Sequence, residues 1–324
     1  MAKLVVLDGH TLNPGDLSWE PLQRFGQIEI YPRTPAEKVL ERSEGAEILL
    51  VNKVVLSKEL IDSLAELCLI VVTATGVNNV DLQAASEKGV PVTNASGYGA
   101  TSVAQHVFAL LLELTNGVAR HNASVKRGEW SGQSDFSYSL MPLRELAGKK
   151  LGIYGFGSIG KRVARIGTAF GMQILAHTRH PDPDGWPEVD FCSLEALFER
   201  SDVISLHAAL GAKNEKIIDH RLLSRMQKGS FLVNTARGGL VNENHLAEAL
   251  QEGPLAGAGL DVLDQEPPKA DHALLGLDNC FITPHNAWAS RESRQRLMDI
   301  VIRNIEDYQN GTLQHVVNPD YRRS

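Results

Sequence analysis

Residues 151–171 read LGIYGFGSIGKRVARIGTAFG, and the order of features in this stretch decides the fold. An apolar run, 151–154, leads into Gly155, Gly157 and Gly160, and a helix is expected to follow. The three glycines have separate physical roles when they stand between a strand and a helix. The first permits a tight turn, the second lets a pyrophosphate approach the backbone, and the third lets the helix pack closely on the sheet. The helix N-terminus adds oriented N–H groups that favour an anion. The stretch therefore predicts a dinucleotide-binding βαβ unit.

Working outward, further strands are expected at 174–177, 203–206, 231–234, 256–260 and 281–283, which makes a doubly wound sheet. Ahead of the glycine loop, residues 4–7, 48–51, 70–73 and 90–93 are β-branched or apolar runs separated by amphipathic stretches, a second α/β pattern. Between the two series, residues 102–114, SVAQHVFALLLEL, are apolar almost all round and predict a buried helix. His106 inside it reads as a hydrogen-bonded core histidine. A long helix over 288–310, stopped at Gly311, follows the second series and suggests that the chain returns to the first domain. The expected domains are 1–98 with 288–324, and 99–287 between them.

Composition narrows the function. The chain has 324 residues, 43% of them hydrophobic, enough for about two globular domains. The net charge of −7, with scattered Lys and Arg, gives no footprint for nucleic acid or an anionic membrane, so a small-molecule partner is expected. Cys68, Cys192 and Cys280 lie far apart with no CxxC pair, which predicts neither a metal site nor a disulfide framework and suits a reducing cytoplasm. No stretch reads as a targeting segment or a membrane span.

An NAD site usually carries an acidic residue about 20 positions past the glycines, where it binds the adenosine ribose hydroxyls. Here residues 176–180 read AHTRH. Thr178 can donate to a 2′-phosphate without repelling it and Arg179 can pair with it, which favours NADP(H). NAD(H) is the alternative if Arg179 and His180 are only solvated turn residues.

Three chemically capable residues then follow expected strands in order: Arg237 in NTARGG, Glu266 in DQEPP and His285 in TPHNAW. Open α/β sheets place their ligand crevice at these strand ends. With ATGVNNVDL at 74–82, SVAQHVFALLLEL, GFGSIG, VNTARGGLVNENHLAEAL, AGLDVLDQEP and TPHNA, the chain resembles the D-isomer-specific 2-hydroxyacid dehydrogenase family over essentially its full length. Its opening, VLDGHTLNPGDLSW, is similar to the glycerate dehydrogenase or hydroxypyruvate (glyoxylate) reductase branch.

The resemblance implies a Rossmann-type cofactor domain inserted into a smaller flavodoxin-like α/β substrate domain, an active site between the domains, and a homodimer. It implies hydride transfer between NAD(P)H and C2 of a small 2-oxo or 2-hydroxy acid, with hydroxypyruvate and glyoxylate giving D-glycerate and glycolate. Arg237, Glu266 and His285 take the catalytic positions. The chemistry asks for these types: a histidine to donate or take the proton, a carboxylate to favour its imidazolium, and an arginine fork for the substrate carboxylate and carbonyl. The resemblance also implies cofactor contacts at Thr75, Ser158, Ile159, His207, Ala208, Thr235, Ala236 and Asp261, besides Arg237 and His285. It assigns the substrate carboxylate to backbone N–H groups of Thr75, Gly76 and Val77. Asn52 and Lys53, at a strand end, are further substrate candidates, and Trp130 and Trp288 either line the site or only pack. Ala209 stands where family members commonly have proline, which predicts a looser loop. Two other classes stay open at this point: a cofactor-binding corepressor, and a formate- or phosphite-type dehydrogenase.

Overall fold

The computed structural model describes residues 2–323. The chain divides into two units, Met1–Gly99 with Ala289–Ser324, and Ala100–Trp288. The first contains β1 (Ala2–Val6), β2 (Gly26–Ile30), α1 (Val39–Ser43), β3 (Ile48–Val51), α2 (Lys58–Ser63), β4 (Leu69–Val72), α3 (Leu82–Glu87) and β5 (Val92–Thr93). The second contains α4 (Ala100–Asn116), α5 (Val118–Lys126), β6 (Lys150–Tyr154), α6 (Ser158–Ala169), β7 (Gln173–His177), β8 (Val189–Phe191), α7 (Leu194–Arg200), β9 (Val203–Leu206), α8 (His220–Leu223), β10 (Ser230–Asn234), α9 (Glu243–Gln251), β11 (Leu255–Leu260) and β12 (Cys280–Ile282). The chain then returns to the first unit as α10 (Arg291–Gln309).

In the first unit five parallel strands run in the order β2-β1-β3-β4-β5, a flavodoxin-like arrangement. The strands β3 and β4 are buried at every position, as parallel strands covered on both faces must be. The second unit has seven parallel strands in the order β12-β11-β10-β9-β6-β7-β8, the Rossmann order with one strand added. Its strand order reverses between β6 and β9, and that switch point is where the crevice of an open parallel sheet lies.

Two strands escape the sequence reading, β2 and β8, and both lie at a sheet edge. Edge strands are covered less completely, so neither GQIEI nor VDF reads as a continuous apolar run. The last helix starts at Arg291 and not at 288, because the Ser290 hydroxyl accepts from Ser293 N at 3.2 Å and caps it. In the first unit this helix is tied by Arg294, which makes a bidentate pair with Asp16 at 2.6 and 2.7 Å. The Arg294 guanidinium holds the Asp16 carboxyl below its ordinary range.

Phe198 on α7, which packs on β6 and β7, is fully buried in the core cluster that includes Leu175, Ile204, Leu206 and Leu222. Phe198→Ala should destabilise the second unit by about 3–5 kcal/mol through lost burial and the cavity left behind. Urea unfolding followed by fluorescence should give a lower midpoint at an unchanged slope.

Candidate active site

At the switch point the chain leaves β6 through Gly155, whose φ of +95° is in the left-handed region that suits glycine. A Cβ there would meet Ala208 N at 2.4 Å, so the turn presses directly on the backbone that follows β9. At Gly157, by contrast, a Cβ would meet nothing within 4 Å, which leaves open space over the start of α6. Gly157 is the N-cap of that helix, and the first turn, Ser158, Ile159 and Gly160, presents N–H groups with no intrahelical acceptor. Gly160 packs so closely that a Cβ would meet Gly155 O at 2.3 Å.

Two buried polar atoms beside this turn have no hydrogen-bond partner: Nδ1 of His207 and Oγ1 of Thr235. They follow β9 and β10, which pair in register as Asn234 with Leu206, so the two residues stand side by side at one sheet edge. The His207 Nε2 lies 2.8 Å from Ser205 Oγ, and burial pushes the imidazole down to about 3, so the ring is neutral at any working pH. Orphaned polar atoms, open space at Gly157 and free helix N–H groups together fit a dinucleotide with its pyrophosphate on the helix. In the loop with Ala209, Asn214 donates to Ala209 O at 2.9 Å and accepts from Gly211 N at 2.7 Å. At the end of β7 Thr178 is half-buried, and Arg179 is exposed with no carboxylate partner among the described residues.

The turn after β10 is built by Asn234. Its Oδ1 accepts from Ala236 N at 3.0 Å and its Nδ2 donates to Arg237 O at 2.9 Å. Arg237 is thereby held on an exposed turn, with one internal bond from its guanidinium to Ala236 O at 2.6 Å. No carboxylate among the described residues pairs with it, so it is not an ion-pair residue of the surface.

His285 and Glu266 come together. His285 Nδ1 lies 2.6 Å from Glu266 Oε2, and Glu266 Oε1 accepts from Leu263 N at 2.9 Å. An ionised carboxylate only accepts, so Nδ1 carries the hydrogen and Nε2 is the ring atom left for chemistry. The Glu266 loop is braced from below by Glu243, which accepts from Asp264 N at 2.8 Å and lies 2.9 Å from His272 Nε2. The His285 loop is braced by Asp261, whose Oδ1 accepts from Thr283 Oγ1 at 2.7 Å and Asn286 N at 2.9 Å, while Oδ2 accepts from Ala287 N at 2.9 Å. Trp288 donates from Nε1 to His285 O at 3.0 Å.

In the first unit, Thr75, Gly76 and Val77 follow β4, and among the described residues none of their N–H groups makes a hydrogen bond. The turn is anchored by Thr75 Oγ1 donating to Ala95 O at 2.8 Å and Asn94 Nδ2 donating to Thr75 O at 2.7 Å. Asp8 caps the turn after β3, accepting from the N–H groups of Asn52, Lys53 and Val54 at 2.6–3.0 Å. The Asn52 side chain is buried and committed to Thr73, donating to its carbonyl at 2.6 Å. Lys53 is exposed with no carboxylate partner among the described residues.

Sequence reasoning missed Asp8, Asn214, Glu243 with His272, and Thr283. Asp8 and Thr283 each stand just beyond a strand, the one signal that would have found them. Among the described residues no group of three or more His, Cys, Asp or Glu is placed to hold a metal ion, and no helix is long and apolar enough to cross a membrane.

This geometry has relatives. Residues 108–287 match the model of the D-isomer specific 2-hydroxyacid dehydrogenase, NAD binding domain. The chain is 42% identical to a hydroxypyruvate reductase of Blautia hydrogenotrophica over 98% of its own length and 99% of the relative's. It is 40% identical to a glycerate dehydrogenase of Methylorubrum extorquens, over 87% and 88% of the two chains. Among solved structures it is similar to the D-lactate dehydrogenase of Aquifex aeolicus complexed with NAD and lactic acid, at 30% identity and a TM-score of 0.83 over 98% and 99% of the chains. With a glycine turn that fits a dinucleotide at the switch point and an imidazole–carboxylate pair formed by the loops after β11 and β12, the chain belongs to the D-isomer specific 2-hydroxyacid dehydrogenase family and is a nicotinamide-dependent oxidoreductase of 2-hydroxy acids.

Proposed function

We propose that this enzyme reduces hydroxypyruvate and glyoxylate to D-glycerate and glycolate, prefers NADPH over NADH, and works as a homodimer in the cytoplasm. The observation that carries the reading is the His285 Nδ1 to Glu266 Oε2 contact of 2.6 Å, with Arg237 on the exposed turn after β10 and bonded through its guanidinium to Ala236 O. The relatives named hydroxypyruvate reductase and glycerate dehydrogenase support the choice of substrate.

Hydride exchange at carbon 2 of the substrate is the chemistry a bound nicotinamide supplies. In reduction, negative charge develops on the carbonyl oxygen and must be stabilised and protonated. His285 gives that proton from Nε2, while Glu266 keeps the hydrogen on Nδ1 and so fixes the tautomer and the ring orientation. In oxidation the same nitrogen takes the proton. Arg237 receives the substrate carboxylate and carbonyl on its fork of donors. Thr75, Gly76 and Val77, with three successive unbonded N–H groups, suit a carboxylate, and Lys53 adds a positive charge to the same unit. Residues 1–98 with 288–324 are thus the substrate domain in this reading, and 99–287 the dinucleotide domain.

For the cofactor, Ser158 and Ile159 take the pyrophosphate with Gly155, Gly157 and Gly160. His207, Ala208, Thr235 and Ala236 line the neighbouring strand ends, with Thr75 towards the nicotinamide. A carboxylate has about four lone-pair sites. Three on Asp261 are engaged, which leaves one on Oδ2 for a nicotinamide amide N–H. Thr178 and Arg179 receive the 2′-phosphate. The homodimer rests on apolar side chains between residues 118 and 143: Val118 is 64% exposed, Trp130 50%, Phe136 90% and Leu143 59%, an apolar concentration that a second copy would cover.

Three outcomes test this reading. NADPH should give the higher kcat/KM, and Thr178→Asp should reverse the order by like-charge repulsion. A tenfold preference of the parent for NADH, about 1.4 kcal/mol, would remove Arg179 from the phosphate site. Arg237→Lys keeps the charge but loses the fork, so steady-state kinetics should show a raised KM and lowered kcat, with cofactor titration by fluorescence nearly unchanged. His285→Ala should lower kcat about 10²–10⁴-fold in both directions, and Glu266→Gln by a smaller factor. Parental turnover of hydroxypyruvate and glyoxylate by His285→Ala would sink the acid–base assignment.

A further inference from the structure

His285 sits at a φ of +52°, in the left-handed region that a non-glycine residue adopts only when its surroundings hold it there. What holds it comes from a helix that the chemistry does not use. Helix α4 is apolar over most of its surface, yet Ser102 and His106, four residues apart, share one face of it. Ser102 Oγ donates to Ala287 O at 2.6 Å, and His106 Nε2 lies 2.9 Å from Thr283 Oγ1. The two contacts grip the His285 loop on either side of the histidine.

We propose that His106 is a positioning residue for His285, acting as a hydrogen-bond donor to Thr283. The direction of the bond follows from proton counting. Asp261, its side chain 1% exposed, accepts from Asn286 N and Ala287 N, and the single hydroxyl hydrogen of Thr283 also goes to it, at Oδ1, 2.7 Å away. The bond between Thr283 Oγ1 and His106 then needs its hydrogen on Nε2. His106 thereby orients the Thr283 hydroxyl, Thr283 completes the shell of Asp261, and Asp261 accepts from Asn286 and Ala287 directly after His285. The Thr283 carbonyl accepts from His285 N at 2.9 Å, so Thr283 holds the N-terminal side of the strained position directly and its C-terminal side through Asp261. The close seating of α4 is built into β11, where a Cβ at Gly259 would meet Leu110 Cβ at 2.9 Å.

The proposal rests on His285 being the proton donor, and the test separates the two. His106→Leu keeps much of the volume and removes the donor, whereas His106→Gln retains an N–H₂ group of similar reach. His106→Leu should lower kcat for hydroxypyruvate reduction about 10- to 100-fold, the scale of an ångström-level misplacement, with KM and the fluorescence-titrated cofactor Kd within about twofold of the parent. His106→Gln should restore most of kcat. A core histidine without this role would lower melting temperature and leave kcat per folded enzyme alone, and that result overturns the proposal. Should the leucine variant not fold, His106→Asn, too short to reach Thr283, takes its place: kcat lost with Asn and kept with Gln supports the assignment, and equal kcat overturns it. His285→Ala is measured beside them. If it is crippled while His106→Leu is parental, only the positioning role fails. If it turns over like the parent, the acid–base reading fails and the positioning role with it.

Discussion

A charge that is almost wholly removed from water must be met by donors, and the carboxylate of Asp261 is such a charge. It stands one residue beyond β11, and its backbone N–H donates to Asn234 O at 2.9 Å, so its place is set by the sheet itself. Thr283 N donates to Leu260 O at 2.9 Å, which sets the start of the next strand end by the same ladder. The parallel register therefore delivers Thr283, Asn286 and Ala287 to the one acceptor, Asp261, on either side of His285. Removing Asp261 would leave two backbone N–H groups and the hydroxyl hydrogen of Thr283 without their acceptor, a larger loss than any single bond.

The register also explains why the chemistry collects at one edge. Every strand pair in both sheets is parallel, so all strand ends with a following loop open on the same side of their sheet. In the second unit that edge carries, in order, the glycine turn after β6, His207 after β9, Arg237 after β10, Glu266 in the loop after β11 and His285 after β12. Each residue arrives by a separate crossover, and the spacing between neighbouring strands does the work of bringing them near.

Much of this is legible in the amino-acid order alone. Glycines at 155, 157 and 160 between an apolar run and a helix meet three demands at once, a tight turn, an open approach and a close packing contact, and Arg237, Glu266 and His285 each follow a readable strand. What is not legible has a common cause. β2 and β8 are edge strands whose exposed positions break the apolar run. His106 is embedded in an apolar helix, so its surroundings in sequence say core, while its partner Thr283 is 177 residues away. The same holds for Asn214, whose role depends on the carbonyl of Ala209 and on a turn that no periodicity describes. Periodicity reports which face of an element is buried; it does not report which polar group waits on the other side.

That difference maps onto a division of labour inside the site. Arg237 and Glu266 are exposed and His285 is half-buried, and in the proposed reaction this leaves outward atoms for a substrate: the guanidinium N–H groups of Arg237 not bonded to Ala236 O, and Nε2 of His285. Such groups are poorly determined by their own packing. Their order has to come from residues whose bonds are used internally, and beneath each one stands a polar side chain that is buried or nearly so: Asn234 under Arg237, Glu243 under the Glu266 loop, Asp261 under His285. The outward groups state what reaction is possible, and the inward ones decide whether its geometry is kept. In the proposed reaction, a substitution that leaves all three outward residues intact but reaches the layer below therefore lowers turnover through geometry, by a smaller factor than removing the proton donor itself.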